Sequence, residues 1–213
     1  MALVSAVKVV GLGGSLAKDS TSLAALKVAL EGAEKAGAGV ELFDLRVVDF
    51  PMYSPEVTPP DNVRSFCDSV ASCGGMLWSS PLYNGTISGL FKNALDWLHL
   101  LGDCKPAYLT DKVIGMISTA GGTQGLQAVN TMEFIVRALR GWAVPLVIPI
   151  PQAWRTIQKG QVLNEATAEQ LRALGAEVAR AAKSFAAAPI TTPEAARAEA
   201  AVQPASEAEA RRK

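Results

Sequence analysis

The chain has little from which to build a metal centre, a disulfide scaffold or a histidine-based active site: its 213 residues include three cysteines and one histidine, His99. Cys67, Cys73 and Cys104 are odd in number and off the spacings of zinc ligands, so neither a disulfide framework nor a familiar zinc site is expected, and a reducing, cytoplasmic setting is. An excess of charge is missing as well. Lys and Arg number 20 against 20 Asp and Glu, which leaves no basic footprint for nucleic acid and no strongly acidic face of the kind expected of a small electron carrier. Although 49% of the residues are apolar, no run approaches the ~18 apolar residues that read as a membrane span. Met1 to Lys8 lacks a charged segment followed by an apolar block, so no secretory or mitochondrial leader is expected.

What the chain does have is an alternation of short apolar runs and helical periods. Val7–Leu12, Val40–Leu45, Gly75–Ser79, Val113–Ser118 and Val144–Ile150 read as strands, their near-continuous apolar character fitting a parallel sheet covered on both faces. Pro145 and Pro149 suggest an edge position for the last. Between them, Leu23, Leu26, Leu30 and Ala33 recur at helical spacing until Gly37 and Gly39; Asp61 is placed to cap a helix with Val63, Phe66 and Val70 inside. A helix of about Gly89–Leu101 follows the third strand. Leu126, Val129, Met132, Phe134, Ile135, Val136 and Leu139 mark another, and Ala166–Ala187 the last. Residues 1–188 thus read as one α/β domain and 189–213, rich in Ala, Glu, Arg and Pro without an apolar period, as a flexible tail.

Strands alternating with helices give a parallel sheet with right-handed crossovers. In the five-stranded order 2-1-3-4-5 the chain reverses direction between strands 1 and 3, where ligands bind at the carboxyl ends of the strands. That order gathers the loops after strands 1, 3 and 4, and these are the loops rich in glycine and hydroxyls: Gly13-Gly14-Ser15 to Ser22, Pro81 to Ser88, and Ser118 to Thr123. The loop after strand 2, Arg46-Val47-Val48-Asp49, lacks that chemistry.

The first loop is not a Walker motif, having no Gly-Lys-Ser/Thr, and not a dinucleotide fingerprint, since Leu16 stands at the third glycine. Ser15, Ser20, Thr21 and Ser22 instead place hydroxyls around a helix N-terminus, which suits a terminal phosphate that is held and not transferred. Taken alone, these serines are also compatible with a helix cap and nothing more. In the second loop Pro81 stiffens the exit from the strand, Tyr83 offers an aromatic wall, Asn84 a donor and an acceptor, and Gly85 close backbone approach to a flat heterocycle. Gly121 and Gly122 in the third could present amides to the far end of such a ring.

With these residues the chain resembles the NADPH-dependent FMN reductase family, flavodoxin-like enzymes that include quinone, azo-dye and chromate reductases. The resemblance rests on Gly14-Ser15-Leu16 with Ser20, on Ser80-Pro81-x-Tyr83-Asn84-Gly85-Thr86, on Gly89-x-x-Lys92-Asn93-Ala94-Leu95-Asp96-Trp97 and on Ser118-Thr119-Ala120-Gly121-Gly122. It implies a flavodoxin-like three-layer sandwich with FMN as cofactor and NADPH or NADH as co-substrate. It also implies that Ser15, Ala17, Ser20, Thr21 and Ser22 hold the phosphate, that Pro81, Leu82, Tyr83, Asn84 and Gly85 line the ring and ribityl chain, and that Ser118, Gly121 and Gly122 lie near the ring's far side. Ala17 stands where the family commonly has Arg, and Leu82 where it often has Glu. Lys18 offers a charge from the next position, without a guanidinium's fork.

The activity implied is hydride transfer from nicotinamide to flavin N5 and onward to a small-molecule electron acceptor such as a quinone, azo compound, metal ion or free flavin; the alternative is a non-enzymatic FMN-binding electron-transfer protein. The cofactor carries that chemistry, so no catalytic side chain and no metal is expected. Lys92 and Asp96, at i and i+4, read as a helix-face pair or subunit contact, His99 as structural or at an interface, and Trp97 and Trp142 as core or interface anchors consistent with a homodimer or homotetramer.

Overall fold

The structure, a computed structural model, describes residues 6–185. The segment 189–213, expected to be a tail, lies outside the described residues. Five strands form the parallel sheet: β1 (Lys8–Gly13), β2 (Gly39–Asp44), β3 (Gly75–Tyr83), β5 (Val113–Thr119) and β6 (Trp142–Ile150), in spatial order β2-β1-β3-β5-β6. Counting only these, the order is the expected 2-1-3-4-5. The sheet is covered on both sides, which is why its central strands are apolar at successive positions: Val9, Val10, Leu12, Leu77 and Trp78 are all fully buried.

One face carries α1 (Thr21–Lys35) and α6 (Glu165–Phe185) over Val9, Leu77 and Ile117. These two helices approach closely because glycines remove the spacers between them. A Cβ at Gly175 would lie 1.8 Å from the Ala29 carbonyl oxygen, and one at Gly32 2.1 Å from that of Arg172. The other face carries α2 (Asp61–Ser72), α3 (Gly89–Asp96) with its 3-10 continuation Trp97–Leu101, and α4 (Leu126–Ala138), over Val10, Leu12, Trp78 and Met116. β6 is an edge strand, as its prolines indicate. Its register against β5 slips between Ile114 and Met116, at the stretch that holds Pro145.

Several expectations need correction. Asp61 is the first residue of α2 and not its cap, which is Pro60; the carboxylate still sits favourably near the helix's positive end. Leu126 and Phe134, among the apolar residues that mark α4, are exposed, leaving Ala128, Val129, Met132 and Val136 buried. The third strand does not end at Ser79 but runs on to Tyr83 and folds back into β4 (Thr86–Ile87), with Leu82 opposite Ile87 and Tyr83 opposite Thr86. Asn84 (φ 49) and Gly85 (φ 86) form the two-residue turn, both in the left-handed backbone region that such tight hairpins require. The segment after β6 also carries structure that the periodicity did not indicate: α5 (Ala153–Thr156) and a hairpin of β7 (Ile157–Gln158) and β8 (Gln161–Val162).

Candidate functional site

At the carboxyl end of β1 the chain turns into α1 through a cluster of hydroxyls. Ser15 Oγ donates to Ser20 Oγ at 3.0 Å, and the hydroxyls of Ser20 and Ser22 lie 3.1 Å apart; all three serines are buried. Ser20 is the N-cap of α1, its Oγ accepting the Leu23 N–H at 3.2 Å. The amides of Thr21 and Ser22, in the first turn, have no protein acceptor among the described residues. Unpaired amides and the aligned dipoles of a 15-residue helix make this a locus for an anion. Ala17 is exposed beside it, its N–H 3.4 Å from Ser15 Oγ.

The loop after β2, expected to lack site chemistry, needs correction at its first residue: Arg46 Nη1 donates to the Lys18 carbonyl at 3.3 Å. A guanidinium from the loop after β2 therefore stands at the same turn where Ala17 supplies no charge. Its own amide is tied to Asp44 Oδ1 at 3.0 Å, which fixes where the side chain departs.

A cavity of about 320 Å³ opens between the ends of β3 and β5, lined by Leu82, Asn84, Gly85 and residues 120–124. A Cβ at Gly85, Gly121 or Gly122 would meet nothing within 4 Å, so these glycines leave open space. The hydroxyl cluster and the cavity are joined: Thr21 Oγ1 donates to Thr119 Oγ1 at 3.1 Å, and the residue after Thr119 is already cavity wall. Another cleft of about 490 Å³ is lined by one face of α2 alone, with no converging loops.

Not every residue singled out in the sequence reaches the cavity. Pro81 is buried within β3 opposite Thr119, and Tyr83 is 51% exposed and not among the lining residues. Ser118 is fully buried, its hydroxyl donated to the Gly125 carbonyl, so it closes the third loop from behind. The helix following the hairpin serves packing. Asn93 accepts the Tyr53 N–H at 2.8 Å and donates to the Pro51 carbonyl at 2.9 Å, where the Trp97 indole also donates. Lys92 and Asp96 form an i,i+4 ion pair, and His99 lies exposed beside the Tyr53 ring. Trp154, unmarked in the sequence, donates its indole N–H to the Gly121 carbonyl at 3.3 Å. An exposed Trp two residues past a Pro and Gln was the one local signal, and it does not name the partner.

The residues present fit a mononucleotide that carries a flat ring. Hydroxyls and free amides suit its phosphate, and an apolar Leu82, a carboxamide and open glycines suit a heterocycle edge.

Comparison with known proteins agrees with this chemistry. The family described as NADPH-dependent FMN reductase matches residues 7–155. A rice protein (Oryza sativa subsp. japonica) named "Probable NADPH:quinone oxidoreductase 2" is 30% identical over 128 residues, covering 58% of this chain and 61% of that protein. The NAD(P)H:quinone oxidoreductase of Solanum tuberosum is 28% identical over 193 residues, covering 82% of this chain and 92% of its own length. Among solved structures, a flavoenzyme NAD(P)H:(acceptor) oxidoreductase from Paracoccus denitrificans superposes with a TM-score of 0.66 at 24% identity, over 84% of this chain and 98% of that one, a likeness of fold. By sequence match across most of its length, the chain belongs to the NADPH-dependent FMN reductase family.

Proposed function

We propose that this chain is an FMN-dependent NAD(P)H oxidoreductase that reduces a small acceptor of the quinone or azo class. The observation that carries the reading is the hydroxyl cradle at the start of α1, linked through Thr21 and Thr119 to a cavity between the ends of β3 and β5. In this reading Ser15, Ser20 and Ser22, with the amides of Thr21 and Ser22, bind the FMN phosphate. Arg46 supplies the positive charge that Ala17 does not. Leu82, Asn84 and Gly85 form one wall of the ring site, and the Gly121–Gly122 loop forms the other. Pro81, Tyr83 and Ser118 hold these walls from outside the cavity.

The chemistry supplied by FMN when bound is two-electron exchange between a nicotinamide and an acceptor. The protein's part is to bind, to orient and to leave one side of the cavity open to the partner. No acid or base side chain is assigned a proton-transfer role. Curated relatives with quinone reductase names support the acceptor class. A cytoplasmic setting accords with three buried cysteines and no disulfide among the described residues. Assembly as a homodimer or homotetramer would cover exposed rings such as Phe134 and Trp142, and light scattering on the purified protein would register it.

The test is anaerobic addition of NADPH or NADH to the FMN-loaded protein. Bleaching of the flavin bands, followed by recovery on adding a quinone, is expected. A coloured protein inert to both nicotinamides would point to an electron carrier instead.

A further inference from the structure

The loop after β5 is held by an unusual arrangement of its carbonyls. Three consecutive ones are occupied by a single short segment that follows β6. The Ala120 carbonyl accepts the Ala153 N–H at 2.8 Å, the Gly122 carbonyl accepts the Gln152 N–H at 2.7 Å, and the Gly121 carbonyl between them accepts the Trp154 indole N–H at 3.3 Å. The far end of the loop is closed by Ser118 Oγ donating to the Gly125 carbonyl.

A trans peptide sets each carbonyl opposite the N–H of the next residue. Carbonyls 120, 121 and 122 turned toward the β6 side thus turn the amides of Gly121, Gly122 and Thr123 toward the β3 side. Leu82, near the end of β3, and Asn84 and Gly85 just beyond it form the opposite wall of the cavity, and β3 pairs with β5 on the edge away from β6. None of the three amides has a protein acceptor among the described residues.

The segment that does this is itself over-determined. Gln152 is in the left-handed backbone region at φ 46, where a residue with a side chain sits only if its surroundings hold it there. The Arg155 guanidinium lies 4.9 Å from the Trp154 ring centroid and braces the indole, and Gln158 Nε2 donates to the Trp154 main-chain carbonyl at 3.3 Å.

We propose that Gln152–Trp154 is an orienting clasp for the cavity's amide wall, with Trp154 its side-chain positioning residue. The clasp presents the N–H groups of Gly121, Gly122 and Thr123 as a row of donors to an electron-rich, acceptor-bearing ring edge. The main-chain bonds fix the two ends of the row, and the indole holds the middle carbonyl, which accepts no other hydrogen bond among the described residues. This proposal rests on the reading of the cavity as the FMN ring's seat.

The test is Trp154→Phe, which keeps an aromatic ring on a half-exposed site and removes the donor. Two measurements separate the clasp from the cofactor reading. In the protein without FMN, the backbone amide order parameter at Gly122, the N–H of the middle peptide, falls in the variant while those at Gly121 and Gly85 stay unchanged. In the FMN-loaded protein, the dissociation constant rises about two- to tenfold, the equivalent of one hydrogen bond, and the flavin midpoint potential becomes more negative, because oriented donors favour the electron-rich reduced form. A loop that merely packed would not move the potential. An order parameter equal to wild type at Gly122 overturns the clasp, as does an unchanged potential in a variant that binds FMN. A wild-type protein that binds no FMN overturns the cavity reading instead, and the order parameters then decide the clasp alone.

Discussion

Ser20 and Ser88 offer a controlled comparison of the phosphate cradle with an ordinary helix cap. Each is a buried N-cap serine whose hydroxyl accepts an amide three residues on, from Leu23 and Phe91 respectively, at 3.2 Å in both cases. Replacing either by Ala removes one cap, which costs about 1 kcal/mol. In a domain of this size that lowers the melting temperature by about 2–4 °C. The two differ in their neighbours. Ser20 Oγ sits between Ser15 Oγ and Ser22 Oγ at 3.0 and 3.1 Å, at the head of α1 where the first-turn amides are unpaired. If a phosphate is bound there, Ser20→Ala also removes a charge-assisted hydrogen bond of about 1.5–3 kcal/mol, equivalent to an FMN dissociation constant raised by about 10- to 150-fold. Thermal melts and FMN titration followed by quenching of flavin fluorescence give both quantities. Ser20→Ala should show the melting shift and the weakened binding, and Ser88→Ala the melting shift with at most a few-fold change in binding. Equal FMN affinities in the two variants would refute the cradle, whatever their melting temperatures.

At the hairpin turn, Asn84→Gly keeps the left-handed backbone and deletes the carboxamide, so it should weaken FMN binding with little loss of stability. Asn84→Ala should weaken it similarly and lose about 1 kcal/mol more from turn strain; affinities equal to that of Cys73→Ala would contradict the assignment. Gly175→Ala puts a methyl 1.8 Å from the main-chain oxygen of Ala29, which cannot swing aside. A loss of about 3 kcal/mol is expected by urea denaturation, against less than about 0.5 kcal/mol for Gly39→Ala, whose added methyl meets nothing within 4 Å. Burial pushes the Cys73 thiol above its ordinary 9.0, with the Lys112 ammonium opposing that shift. The folded protein therefore keeps a proton that the unfolded chain releases. The resulting stability is whole below pH 9 and declines by up to about 1.4 kcal/mol per pH unit as the pH climbs toward the raised value. Lys112, which burial pushes down, contributes in the opposite sense: its share is present above 10.5 and lost as the pH falls through the lowered value. Alkaline unfolding should accordingly be steeper in wild type than in Cys73→Ala, and parallel curves would contradict that.

Much of this was legible in the chain because apolar runs and helical periods are local. The five parallel strands followed from alternation, and the order expected of a five-stranded unit agreed with which loops carry glycine and hydroxyls. What escaped reading depended on contacts between distant residues or on a one-residue choice of face. Arg46 reaches Lys18 across 28 residues and Trp154 reaches Gly121 across 33, and neither sequence neighbourhood names its partner. Ser118 and Thr119 are adjacent on a strand, so one must turn away from whatever the other meets. The structure gives Thr119 to the cradle and Ser118 to the back of its own loop. Pro81 disguised the continuation of β3, although Asn84-Gly85 between Leu82 and Ile87 is a hairpin signal in plain sight. Phe134 kept the helical period of α4 but not its inner face, since an apolar residue on a helix is not thereby a buried one.

The central claim is that three loops at the carboxyl ends of β1, β3 and β5 make one mononucleotide site. Equilibrium titration of the cofactor-free protein with FMN, with riboflavin as the phosphate-free comparison, tests it most directly. The account predicts saturable one-to-one binding of FMN and binding of riboflavin weaker by at least tenfold. Equal affinity for the two, or no binding of either, would contradict it.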